Sequence, residues 1–145
     1  MTRVVLDTNV IVSAYLNQDG PPFRVLKLAL SGLIRMYTSE PILDEYKELL
    51  FRKSYPLDRR RAALLLSAIR SSAIIVKPAS GLSLKLPDTD DAMFLQCAET
   101  AKADFLVTGN TRHFPAKWKL TQRIAPVAFL AFWYATHAKS SLPDP

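Results

Sequence analysis

A single cysteine, Cys97, occurs in the 145 residues, so no disulfide can form within the chain and no cysteine-rich zinc site can be built. That scarcity suits a reducing, cytoplasmic setting, and Cys97 falls inside a helical pattern as a small core side chain. Long apolar runs are missing too: none nears the ~20 residues that a bilayer-spanning helix requires, which argues against a membrane protein. The amino terminus has Arg3 but then strand-like Val-Val-Leu, without the small-residue cleavage site of a secretory signal. No linker, internal repeat or low-complexity tract divides the chain. No G-x-G-x-x-G follows the first strand, which weighs against a dinucleotide-binding domain.

What is present suits one compact domain with a real core, since 49% of the residues are hydrophobic. Residues 1–137 are expected to form it, with 138–145 as a flexible carboxy-terminal tail. The formal charge of +6 favours a polyanionic partner, nucleic acid above all, although solubility alone would also explain it.

Strand and helix signals alternate. Val4-Val5-Leu6 reads as a strand buried on both faces and stops at Asp7; a helix follows to Leu16. Pro21 and Pro22 open a second helix that Ser31-Gly32 end. Strands are expected over 33–37, 73–76, 104–107 and, less strongly, 123–125. Helices are expected from Ser39 to about Arg52, from Asp58 to about Arg70, from Asp88 or Thr89 past Ala101, and from Pro126 through Tyr134. This order implies an α/β protein with a mostly parallel sheet and helices on both faces.

Several carboxylates fall where such sheets place their chemistry, at strand ends and helix starts. Asp7 ends the first strand, where it can also cap the following helix, and Asn9 can orient it or cap in its place. In the helix from Ser39, residues advance by roughly 100° each, so Ile42, Leu43, Tyr46, Leu49 and Leu50 form one arc. Glu45 borders that arc, while Asp44 points away from it and Glu48 lies further out. Asp88, Asp90 and Asp91 crowd one helix start. They complement the helix dipole, yet they repel one another unless a cation is present. Asp91 flanks the Phe94-Ala98 side and ranks first among them, with Asp88 and Asp90 behind. Thr108-Gly109-Asn110 follows the fourth strand much as Asp7-Thr8-Asn9 follows the first, either as an ordinary turn or as a ligand-binding one.

Together these residues resemble the PIN domain, in its toxin-type subgroup of VapC-like proteins. The likeness rests on Val5-Leu-Asp-Thr-Asn-Val-Ile11, Pro87-Asp-Thr-Asp-Asp-Ala-Met-Phe-Leu95 and Ala103-Asp-Phe-Leu-Val-Thr-Gly-Asn110-Thr-Arg-His-Phe114, and it covers nearly the whole chain. The resemblance implies a three-layer α/β/α sandwich and an endoribonuclease dependent on Mg²⁺ or Mn²⁺. It also implies a homodimer inhibited by a small antitoxin protein. Asp7, Glu45 and Asp91 match the family's three acidic positions, as catalytic residues and metal ligands. The fourth position, often Asp, is Asn110 here, a change expected to weaken a second metal more than the first.

On that footing, a metal-bound water with lowered pKa would attack an RNA phosphodiester, with Asn110 and Thr108 positioning water or substrate and Asn9 and Asp88 in support. Arg112, Lys117, Lys119 and Arg123 would hold the RNA backbone beside the site. Phe114 and Trp118 are either base-stacking surfaces or, as short-loop aromatics usually are, anchors to the core. His113 has a structural or surface role, or touches phosphate; Arg59-Arg60-Arg61 is a solvated face or a contact for RNA or an acidic antitoxin segment. Two other readings stay open: an RNA-binding module with weakened catalysis, and a Mg²⁺-dependent phosphohydrolase of small molecules. The latter, when it uses an Asp nucleophile, usually has a second Asp two residues on, where this chain has Asn9.

Overall fold

The computed structural model describes residues 1–54, 58–78 and 89–141. Its centre is a six-stranded sheet in the order β3-β2-β1-β4-β6-β5, all parallel except the β5–β6 pair. The strands are β1 (Arg3–Leu6), β2 (Arg35–Thr38), β3 (Ile74–Ile75), β4 (Phe105–Val107), β5 (Lys117–Trp118) and β6 (Thr121–Ile124). The helices among the described residues are α1 (Thr8–Leu16), α2 (Pro21–Leu30), α3 (Glu40–Ser54), α4 (Arg59–Ser72), α5 (Thr89–Ala101) and α6 (Pro126–Ser141).

Val4, Val5 and Leu6 are fully buried, as an apolar run flanked by strands and covered on both faces must be. The chain steps from β1 outward to β2 and β3, then returns through α5 to β4 on the far side of β1. Right-handed crossovers in opposite directions put α5 on one face and α1 to α4 on the other, and α6 packs against α2 in that second layer. This is the three-layer sandwich expected from the strand–helix alternation. Carboxyl ends of β1, β2 and β4 therefore share one rim, and the helices that start there bring their first turns to it.

Three departures from expectation have local causes. β2 starts at Arg35, because Leu33 is occupied in ending α2. Gly32, at φ 76°, donates to the Ala29 carbonyl (3.2 Å) and Leu33 to that of Leu28 (3.0 Å), which closes the helix before any strand can begin. A hairpin of β5 and β6 stands where only one strand, over 123–125, was expected; its two-residue turn puts Lys119 at φ 54°, a conformation that usually announces itself with glycine. Finally, α6 runs to Ser141, past the helix end expected at Tyr134, and residues 142–145 lie outside the described part.

Candidate active site

Asp7 terminates β1, its amide donating to the Val107 carbonyl at 2.9 Å and so holding it beside the end of β4. Its side chain does two things at once. Oδ1 accepts the Thr8 amide at 2.7 Å, capping α1, and Oδ2 accepts the Thr108 hydroxyl at 2.7 Å. Thr108 is fully buried, so the bond is shielded from water, and its Oγ1 also accepts the Asn110 amide at 3.0 Å. Burial pushes the Asp7 carboxyl above the usual carboxylate range, while the Thr108 hydroxyl, the Thr8 amide and the field of His113 pull the other way.

The neighbouring turns are tied together. Asn9 Oδ1 accepts the Gly109 amide at 3.0 Å, and a Cβ on Gly109 would stand 3.5 Å from that same oxygen. Thr8, 3% exposed, donates its hydroxyl to the Glu45 carboxylate. Glu45 is half-buried on α3 between exposed Asp44 and fully buried Tyr46, as the helical arc requires. Tyr46 donates its hydroxyl to the Leu6 carbonyl, fixing α3 to the last residue of β1, and burial raises its own pKa well above the usual value.

Asp91 comes from the first turn of α5. Its side chain is 19% exposed, and Oδ2 lies 4.0 Å from Nδ1 of His113, which follows Asn110 in a short 3-10 turn, Thr111–His113. Asp7, Glu45, Asp91, Asn9, Thr108 and Asn110 are thus all carried by elements that start or end at the rim where β1 and β4 finish. Asp88 lies outside the described residues, as does the side chain of Asp90.

The four basic residues assigned to RNA separate. Arg112 is exposed in the 3-10 turn next to Asn110. Arg123 spends its guanidinium on the Phe114 carbonyl at 2.6 Å, bracing the loop from within. Lys117 and Lys119 do not stand beside the carboxylates: Lys117 pairs with Gln122, which is level with Phe105 at the start of β4, and Lys119 reaches Glu99 at 3.7 Å. The direction of β6 carries them to the amino end of the sheet. The aromatics are anchors: Phe114 is 3% exposed and edge-on to Phe94 at 6.1 Å, and Trp118 packs on the core. Arg61 is likewise internal business, stacked 4.2 Å over the Tyr15 ring.

Two participants were undervalued in the sequence. Thr8 lies within the Asp7-Thr-Asn motif, yet its partner is 37 residues away, which no local pattern reports. His113 was expected in a structural or surface role or in contact with phosphate; its proximity to Asp91 appears only once α5 is folded over the sheet.

A profile of the PIN domain matches residues 3–112. The chain belongs to the PIN domain family. An uncharacterized protein of Methanocaldococcus jannaschii is 33% identical to this PIN protein over 114 residues, covering 74% of this chain and 70% of its own length. The crystal structure of VapBC2 from Rickettsia felis, bound to a DNA fragment from its promoter, contains a chain that superposes with TM-score 0.59 at 16% identity, over 86% of this chain and 98% of that one. That likeness is one of fold. PIN nucleases generally work with divalent metal ions, and the donor chemistry here suits one: three carboxylates, an amide and two hydroxyls are hard oxygen ligands of the kind Mg²⁺ and Mn²⁺ take. Among the described residues, however, no three acidic, histidine or cysteine side chains already stand as a closed coordination set. Asp7 and Glu45 are turned instead onto hydroxyls that hold them at the rim.

Proposed function

We propose that this PIN protein is a metal-dependent endoribonuclease, the toxin of a toxin–antitoxin pair, working as a homodimer with a small antitoxin as its inhibitor. The observation that carries the proposal is the convergence of Asp7, Glu45 and Asp91 from three separate elements on one end of the sheet, with Thr8 and Thr108 as hydroxyl supports. A purely structural role would leave such acids on unrelated faces. The toxin assignment draws support from family membership, from the VapBC2 fold and from the motifs around Asp7 and Asn110.

A divalent ion, Mg²⁺ or Mn²⁺, bound by Asp7, Asp91 and Glu45 would supply an acidified water and offset charge on the phosphate. The chain does the rest. Thr108 and the Thr8 amide keep the Asp7 oxygens fixed in direction despite the cost of burying them. Thr8 does the same for Glu45. Asn110 offers an amide in place of a fourth carboxylate, so it orients without adding charge. Arg112 and His113 stand on the rim where an RNA phosphate would approach.

Cleavage of single-stranded RNA by the purified protein, with Mn²⁺, Mg²⁺ or a chelator, tests this. Asp7→Asn and Asp91→Asn should each abolish metal-dependent cleavage while the circular dichroism spectrum is unchanged. Full cleavage by Asp7→Asn protein free of contaminating nuclease would defeat the assignment. Asn110 favours one second reading, an RNA-binding module without chemistry, which predicts RNA retention and no product under any metal.

A further inference from the structure

Beside the carboxylate rim lies a cleft of about 550 Å³ that the mechanism does not use. It is shaped by the end of β3 and its exit (Ile75, Val76 and Lys77), the start of α3 (Ser39 and Pro41) and one side of α5 (Met93 and Gln96). The lining is mainly apolar, with a few polar groups: the Gln96 amide, the Lys77 ammonium and the Ser39 hydroxyl. Ser39 is 1% exposed, and its Oγ has no hydrogen-bond partner among the described residues. Leaving a buried hydroxyl unpaired is unfavourable, and a ligand edge inserted against this wall would give it a partner. Glu40, also at the cleft, does not set its charge: both carboxylate oxygens are taken by Arg70, at 2.9 and 3.0 Å. Lys77 is the remaining charged side chain in the described lining.

The cleft shares two helices with the active site. α3 carries Ser39 at its entry and Glu45 a turn and a half later; α5 carries Asp91 just before Met93 and Gln96. Across the sheet, β3 stands two strands from β1, which is about 10 Å at the usual strand spacing. An RNA strand crossing the rim would bring a flanking base over this opening.

We propose that the cleft receives a nucleobase next to the scissile phosphate, and so sets base preference at the cut. Pro41, Val76 and Met93 would contact the faces of the base, Gln96 and Ser39 its polar edge, and Lys77 the adjoining phosphate. A flat, largely apolar heterocycle with a polar rim and an attached anion matches this lining in each respect. The inference rests on the nuclease reading for its biological sense, and its test is separable from it.

The chain has three methionines, Met1, Met36 and Met93, so methyl-labelled methionine gives one reporter in the cleft and two outside it. Metal-free protein is titrated with each of the four ribonucleoside 5′-monophosphates. At least one should shift the Met93 methyl and spare buried Met36, and Gln96→Ala or Ile75→Trp should weaken that binding about tenfold. Ile75 is 39% exposed on an edge strand, so the larger side chain can be accommodated without disturbing the core. If no nucleotide moves Met93, or if Ile75→Trp protein responds as the wild type does, the proposal is overturned; the cleft then serves another occupant, a partner protein's side chain included. RNA cleavage whose base preference survives both substitutions also overturns it, while the nuclease stands. Nucleotide binding at Met93 in a protein that cuts no RNA would sink the nuclease and keep the base site.

Discussion

Thr8 and Glu45 meet through a hydroxyl–carboxylate hydrogen bond although α3 is built from a separate stretch of chain. Thr8 is the residue after Asp7, so one dipeptide at the end of β1 supplies the first acid and the support for the second. Thr8→Val keeps the shape of this buried side chain and removes the hydroxyl. Cleavage should fall about 10–100-fold, as expected when a residue that orients a metal ligand is lost, and Thr8→Ser should restore most of it. Unchanged steady-state rates in Thr8→Val would mean that Glu45 is held by other means.

Asp7 carries a stability signature that needs no substrate. Its folded-state pKa is raised, chiefly by burial, so the folded domain favours the protonated form. The stabilisation from that proton is complete below the unfolded value and is lost as pH rises through the folded one. Near neutral pH the charged carboxylate is therefore a liability in the metal-free protein. Asp7→Asn should raise the metal-free Tm at pH 7, with the difference shrinking as the buffer is made acidic. A lower Tm for the variant at every pH would contradict this account.

Tyr46→Phe removes the donor to the Leu6 carbonyl and leaves that oxygen unpaired in the interior. The expected loss is about 1–3 kcal/mol of unfolding free energy, measurable by urea denaturation. Because the bond joins the residue before Asp7 to the residue after Glu45, cleavage should fall by more than the unfolded fraction explains.

Basic residues at opposite ends of the sheet should behave differently. Arg112→Ala, beside Asn110, should weaken RNA binding and flatten the slope of log affinity against log salt by about 0.7. Lys119→Ala, at the far end and paired with Glu99, should leave both unchanged. Equal effects from the two would place the RNA path along the amino end of the sheet instead.

The parts of this protein that could be read from its sequence are those fixed by local periodicity. Val4-Val5-Leu6 could only be a doubly covered strand, and roughly 100° per residue singled out Glu45 over Asp44 and Glu48. The strand-to-helix junction at Asp7 likewise placed a carboxylate on the rim. What stayed hidden depends on chain direction and on conformations that residue type disguises. Lys119 turns the β5–β6 hairpin at a positive φ without a glycine to mark it, and that reversal decides which end of the sheet receives Lys117. Leu33 looked like a strand residue because its role in closing α2 is played by its backbone. The approach of His113 to Asp91 depends on how α5 crosses the sheet, a tertiary fact with no counterpart in spacing.

The bond between Asn9 and Gly109 fastens the two turns that follow β1 and β4. Beyond them the chain is pinned again, Phe114 against Phe94 and the Arg123 guanidinium on the Phe114 carbonyl, so Arg112 and His113 sit on a loop held at both ends. An insertion between those two pins would shift His113 relative to Asp91, so the loop does not move without the rim registering it.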